Sequence, residues 1–312
     1  MIDIQRGVIW RPPKLVIYGS EGIGKTTLAS HAPDPLFIDT EGGSNFLNVK
    51  RAKPPASWEE LIATVKEVAE TPGICKTLVV DTADWAEALA AEKVCRQNGV
   101  SSIASIPYGH GHVLLADTFM ELLAALNKCI SAGIAVIVIA HAKMRKFEEP
   151  DELGAYDRWE MKLSKQVAPL LKEWCDALLY CNYKNIIVTA DSGKKKAQGG
   201  RRVMYTDHRP AFDAKNRFGL SDELDMDFNE ISFIFADNST TTNTASVSNQ
   251  TPLERLRSLI VEADLSENDV KSFVVGQGYV TPDKPLDNYD NDLIQGLINN
   301  WTDIANYIRA AK

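Results

Sequence analysis

The residues best equipped for chemistry lie in one stretch, residues 14–28, Lys-Leu-Val-Ile-Tyr-Gly-Ser-Glu-Gly-Ile-Gly-Lys-Thr-Thr-Leu. Its G-x-x-x-x-G-K-T spacing sets Gly19, Gly24, Lys25 and Thr26 at the fixed positions of a phosphate-binding loop. Glycines let the backbone curl round a phosphate and aim successive N–H groups inward. A helix starting near Lys25 adds its positive end. Lys25 is spaced to reach the β- and γ-phosphates, and the Thr26 hydroxyl to ligate Mg²⁺. The expected nucleotide contacts are Gly19, Ser20, Glu21, Gly22, Ile23, Gly24, Lys25, Thr26 and Thr27, with ATP and Mg²⁺ as the implied ligands. A buried strand over Leu15 to Tyr18 and the helix start that follows separate this pattern from a chance glycine turn.

Three further side chains sit where strands are expected to end. Leu36-Phe37-Ile38-Asp39 reads as a short strand running into Thr40-Glu41-Gly42-Gly43. Glu41 is the candidate to orient or deprotonate an attacking water, against the alternative of a solvated turn carboxylate. Thr77-Leu78-Val79-Val80-Asp81 is an apolar run ending in an acid, the Walker B pattern, and makes Asp81 the second Mg²⁺ residue beside Thr26. Ile134 to Ala140 is another buried strand, and His141 at its end is placed to sense the γ-phosphate, or else is held by neighbouring backbone.

The elements that must position these groups alternate between apolar strands and helical periods, which implies an α/β fold with a mainly parallel sheet covered on both faces. Helical periods are expected over Trp58 to Glu70, Asp84 to Arg96, Val113 to Ile130 and Leu163 to Cys175. Further strands are expected over Ala177 to Asn182 and in a hairpin, Asn185 to Ala190 with Arg202 to Thr206, whose lysine-rich tip spans 191–200. Residues 237–251 are a Ser/Thr/Asn-rich linker that cannot bury a core. Apolar periodicity returns over 252–312 and predicts a small helical domain. The expected organisation is therefore a core over 1–236, a disordered linker over 237–251 and a helical domain over 252–312.

The chain has 312 residues, ordinary globular composition and a net charge of -8. No apolar run is long enough to span a membrane, and the N-terminus lacks a signal-peptide core, so a cytoplasmic protein without a membrane partner is expected. Five scattered cysteines without CxxC spacing read as reduced core residues. Charge is unevenly spread: residues 193–217 hold 8 Lys/Arg against 2 Asp, while 252–312 hold 6 Lys/Arg against 10 Asp/Glu. A local basic track suffices for nucleic-acid binding in an acidic protein. Candidate DNA contacts are Tyr108 and His110 in a polar loop over 98–112, and Lys143, Arg145, Lys146, Arg158 and Trp159 in an aperiodic stretch over 142–160 that mixes cations and aromatics with the acids Glu148, Glu149, Asp151 and Glu152, which count against it.

The Walker pair, Phe37-Ile38-Asp39-Thr40-Glu41 and Lys215-Asn216-Arg217-Phe218-Gly219 together resemble the RecA-like ATPase core, the last matching the K-N-R-F-G motif of RadA-type recombination ATPases. Residues 8–236 resemble the phage nucleotide-binding proteins of that class, which include single-strand annealing recombinases. The resemblance implies an ATPase that binds single-stranded DNA as a filament or ring in the host cytoplasm. It implies that Lys215 and Arg217 reach the nucleotide or the track of a neighbouring subunit. It also implies DNA-binding loops near 98–112 and 142–160. The helical tail resembles those of other phage recombination proteins and suggests docking of a single-strand-binding protein or another recombination protein. Two other readings stand beside this one: a helicase-like or packaging motor, and a nucleotide-gated binding module with little turnover.

Overall fold

Apolar runs alternating with amphipathic segments build one large sheet with helices on both faces. The computed structural model describes residues 6–7, 9–148, 155–189, 195–236, 252–263, 265–281 and 284–310. The chain divides into two compact units, residues 1–238 and 239–312. In the first unit the elements run β1 (Lys14–Gly19), α1 (Lys25–Ser30), β2 (Pro35–Asp39), β3 (Lys50–Arg51), α2 (Trp58–Glu70), β4 (Thr77–Asp81), α3 (Ala83–Asn98), α4 (His110–Ser131), β5 (Ala135–Glu148), β6 (Ala155–Met161), α5 (Val167–Trp174), β7 (Ala177–Thr189), β8 (Lys195–Tyr205), β9 (Lys215–Asn216) and β10 (Glu223–Asp225). The sheet order is β10-β8-β7-β1-β5-β4-β2-β3, with β6 on β5 and β9 on β7. From β3 across to β7 every pairing is parallel, while β6, β8, β9 and β10 pair antiparallel. This is the mostly parallel sheet that the alternation of strands and helices predicts, extended by antiparallel strands.

Alternation along each central strand serves two cores, which is why these strands are apolar throughout. Val16, Tyr18, Val136 and Val138 face Trp58 and Leu61 of α2 and Phe119, Leu122 and Leu126 of α4. Leu15, Ile17, Ile137 and Leu179 face Leu28 and Ala29 of α1 together with Phe228, Ile231 and Ile234 from a 3-10 segment, Phe228–Phe235. The Ser57 side chain caps α2 by accepting from the Glu60 amide.

Several elements differ from the sequence expectation. The strand ending at His141 does not give way to a loop: β5 continues to Glu148 and pairs with β6 from Ala142↔Met161 to Glu148↔Ala155. The ribbon meets the core through Met161 and Trp159 on β6, and most of its other positions are half-buried or exposed, so no apolar period marks it. Likewise β7 is one strand rather than two, with a bulge between Asn185 and Ile186. β8 begins at Lys195, within the expected tip, and 191–194 lie outside the described residues. The linker over 237–251 also lies outside the described residues. Helix α4 starts at His110, three residues before the apolar period begins.

The second unit contains α6 (Pro252–Glu262), α7 (Glu267–Gly276), α8 (Asn291–Asn299) and α9 (Trp301–Ala310). Leu256, Ile260, Val270, Val274, Ile294, Leu297 and Ile308 form its core. Ser266 and Asp269 close a capping box at the start of α7.

Gly19 ties the sheet to the phosphate loop. A Cβ there would sit 2.3 Å from the Cys181 carbonyl oxygen on neighbouring β7. Two buried parallel strands cannot part to admit it. Gly19→Ala is expected to lower unfolding free energy by about 1–3 kcal/mol, read as an earlier midpoint in urea. An unchanged midpoint would mean that β1 and β7 are further apart than described.

Candidate active site

Strand register gathers the candidate residues at the carboxyl end of the sheet. Gly19 is level with His141 on β5 and with Cys181 on β7. Asp39 is level with Asp81 on β4. The loop after β1 turns through Gly22 and Gly24, and Gly24 holds φ 107°, a left-handed conformation that favours glycine. Ile23 is buried beneath the loop, while Glu21 and Thr27 are exposed on its rim. A cavity of about 340 Å³ opens over the loop, bordered by Gly22, Gly24, Lys25, Thr26, Glu41, Gly43, Asp81, Thr82 and His141.

Each group in the cavity has a defined partner. Lys25 is 6% exposed, and its Nζ donates to the carbonyls of Gly19 and Ser20, both at 2.9 Å. Burial lowers its pKa. Thr26 Oγ1 donates to Asp81 Oδ2 at 2.8 Å. Burial pushes the Asp81 carboxyl up to about 6, against the Thr26 hydrogen bond. A hydroxyl and a buried carboxylate that converge in this way are hard oxygen donors, suited to Mg²⁺ that draws its other ligands from phosphate and water. The cation would offset the cost of burying the Asp81 charge.

The loop bearing Glu41 is clamped at its root, a feature the sequence reading did not single out. Asp39 Oδ1 accepts from the amides of Glu41 (3.0 Å) and Gly42 (2.6 Å), and Oδ2 from the Ser44 amide and hydroxyl. Burial would raise the Asp39 pKa, but these donors outweigh it and hold the carboxyl below its ordinary value. Thr40 fastens the same loop to β4, donating to the Asp81 carbonyl at 3.0 Å and accepting from the Thr82 amide at 2.9 Å.

His141 also has a partner that was missed. Asp84, in the first turn of α3, accepts from the His141 amide at 3.1 Å and from Nδ1 at 2.8 Å. That leaves Nε2 turned towards Glu41, 3.8 Å from Oε2. The signal in the sequence was an acid three residues past the Walker B aspartate. A further side chain, Arg202 of β8, donates to the Ile23 carbonyl at 3.2 Å and lies against Gly24.

The remaining candidates are placed elsewhere. Lys215 Nζ donates to the carbonyls of Lys172, Glu173 and Cys175, capping the C-terminal end of α5. Arg217 is largely exposed and 3.5 Å from Asp176. Asp176 also accepts from the Lys14 amide at the start of β1, so both cations lie at the amino ends of the strands, away from their own phosphate loop. Arg158 is buried in an ion pair with Asp213, and Trp159 packs against the core, which removes both from any surface role in the expected form. Lys143 donates to the Leu163 carbonyl. Arg145 and Lys146 remain on the β5–β6 ribbon, Arg145 lying 3.6 Å from Glu160. Tyr108 is 98% exposed with φ 57°, next to an exposed His110.

Comparison with known proteins bears on this geometry. A family model described as an AAA domain, AAA_24, matches residues 11–218, from the strand before the phosphate loop to the K-N-R-F-G segment. The chain belongs to this family. One curated relative, the SPbeta prophage-derived uncharacterized protein YorG of Bacillus subtilis (strain 168), is 31% identical over 132 residues. That match covers 41% of this chain and 40% of the relative. Among solved structures, a RadB recombinase is 17% identical, covering 64% of this chain and 84% of that one, with a TM-score of 0.36. The flagellar accessory protein FlaH from Methanocaldococcus jannaschii is 12% identical, covering 62% and 78%, with a TM-score of 0.32.

The Asp84–His141 pair yields a pH signature. The Asp84 hydrogen bond raises the His141 pKa over the opposition of burial; Lys25 opposes it and Glu41 adds to it. The pair's contribution to stability is therefore complete below about pH 6.5 and is lost as pH rises through the raised value. On the acid side Asp84, whose pKa the His141 hydrogen bonds lower against burial, keeps the contribution until pH falls through that lowered value. The melting-temperature gap between wild type and Asp84→Asn is expected to be widest between roughly pH 4 and 6.5 and to narrow above. A gap independent of pH would show that the pair is not charged.

Proposed function

We propose that this protein is a Mg²⁺-dependent ATPase that acts on single-stranded DNA as a self-assembled ring or filament, in recombination by strand annealing or pairing. The observation that carries the ATPase reading is the convergence of Lys25, Thr26, Asp81, Glu41 and His141 on one cavity at the carboxyl end of the sheet. Lys25 exchanges its two carbonyl partners for the β- and γ-phosphates. Thr26 and Asp81 hold Mg²⁺, which neutralises developing phosphate charge when bound. Glu41, fixed by the Asp39 clamp, aligns and deprotonates the attacking water. His141, held by Asp84, presents Nε2 towards the terminal phosphate. No helix among the described residues is long and apolar enough to cross a membrane.

Two substitutions separate binding from turnover. Lys25→Ala is expected to abolish ATP binding in an equilibrium titration, because it removes the charge that pairs the phosphates. Glu41→Gln is expected to retain binding and to slow hydrolysis by ~10²–10⁴-fold. A wild-type rate in Glu41→Gln would return that residue to the status of a turn carboxylate. A wild-type protein that binds ATP but does not hydrolyse it, with or without single-stranded DNA, would leave a nucleotide-gated module.

Assembly rests on the placement of Arg217. An exposed guanidinium at the amino ends of the strands serves a phosphate only across a subunit boundary, where such a group contributes ~10³–10⁵ in rate. Mixing Lys25→Ala with Arg217→Ala protein is expected to restore part of the DNA-stimulated activity that each lacks alone. Full activity in Arg217→Ala by itself would remove it from catalysis.

A further inference from the structure

Beside the phosphate loop stands a cation that no part of the Walker pattern announces. Lys162, the first residue past β6, brings its Nζ within 3.7 Å of Glu21 Oε1 in the loop itself. We propose that Lys162 is a phosphate-binding residue of its own subunit, held by Glu21 at the mouth of the cavity and passed to the γ-phosphate when ATP enters. The proposal rests on the ATPase reading above and adds to it one residue and an exchange of partners.

Charge in the cavity calls for such a group. Among the described residues bordering it, Lys25 is the one Lys or Arg, against Glu21, Glu41 and Asp81. A nucleoside triphosphate stays negative even with Mg²⁺ bound. Placing it there sets like charges together in a partly buried site, where solvent and salt screen them less than at the surface. The other cations of the core are not in position to offset this. Arg217 lies at the amino ends of the strands, beside Asp176. Arg202 holds the Ile23 carbonyl and lines a separate recess with Leu28, His31 and Met226.

The mounting of Lys162 is fixed, while its side chain is free to move. Its amide donates to the His141 carbonyl at 2.7 Å, and His141 is level with Gly19, so its backbone is anchored next to the start of the loop. Met161 and Leu163 on either side are buried in the core. The side chains that meet are open to water, Lys162 at 52% exposure and Glu21 at 73%. A pair so exposed adds little to stability and is given up at little cost. Glu21 offers Nζ one contact beyond ordinary hydrogen-bond length. A terminal phosphate offers charged oxygens at full hydrogen-bond range, and charge-assisted bonds of that kind are the stronger ones. After the exchange Glu21, already at the surface, is left to water. His141 and Lys162, joined through their backbones, then meet the same phosphate.

The test is calorimetric titration of the full-length protein with MgATP and with MgADP. Thermal melts control for folding, and Lys25→Ala controls for the loop. Lys162→Met keeps the aliphatic stem and is expected to weaken ATP about tenfold while leaving ADP within about twofold, because the lost bond is to the γ-phosphate. Lys162→Arg retains a cation and is expected to keep most of the preference for ATP. Glu21→Gln is expected to tighten ATP. That gain is expected to shrink when Lys162→Met is also present, since Glu21 then has no lysine to withhold. If Lys162→Met weakens ATP and ADP equally, or changes neither, Lys162 does not reach the γ-phosphate; the proposal is overturned and the ATPase reading stands without it. If wild type binds neither nucleotide, or Lys25→Ala binds both as wild type does, the ATPase reading falls and takes this proposal with it.

Discussion

The register between neighbouring parallel strands is the constraint on which the site depends. Gly19, Asp39, Asp81 and His141 come from four strands, and none is within fifteen residues of another in the chain. They meet because Gly19 pairs level with His141, and Asp39 with Asp81. Side chains alternate along a strand, so a slip of one residue would turn Asp81 out of the cavity and bury the wrong face of β4. The two cores hold the register by demanding a different set of apolar residues on each face. Stability and site geometry are thus set by the same alternation.

A second layer of order comes from polar groups that fix the loops once the strands are in place. Asp39 gathers three amides and a hydroxyl, and Thr40 bridges to the backbone of β4. These bonds satisfy buried backbone donors that no strand partner reaches. The loop bearing Glu41 therefore gains its conformation from the two strands it touches, without a helix of its own. Asp84 does the same for His141 from the first turn of α3.

The phosphate loop, the Walker B aspartate and the two-faced strands were legible because their signals are local: spacing, an apolar run, a terminal acid. Glu41 and His141 were legible as acids or bases at strand ends, and the structure puts both at the cavity. What was not legible depended on distant partners. Arg158 read as a surface cation because nothing nearby in sequence announces Asp213, 55 residues on. Lys215 read as a nucleotide contact, yet three carbonyls at the end of α5 hold it, and main-chain acceptors leave no trace in a sequence. The ribbon of β5 and β6 was hidden for a related reason. Only Met161 and Trp159 of β6 reach the core, and the buried position between Tyr156 and Met161 holds the ion-paired Arg158 instead of an apolar residue.

The unbroken course of β5 has a mechanical consequence. Its lower half is hydrogen-bonded on both edges, to β1 and to β4, and its upper half projects as one arm of the ribbon. Tension applied to the tip along the strand axis is carried in shear, with the bonds on both edges loaded together. A hairpin joined to the sheet through a loop would instead transmit the same pull as bending at the junction, and its root bonds would open one after another. The ribbon is in this sense a stiff lever anchored at the centre of the sheet, and displacement at its outer end reaches the histidine at its root with little lost to flexing.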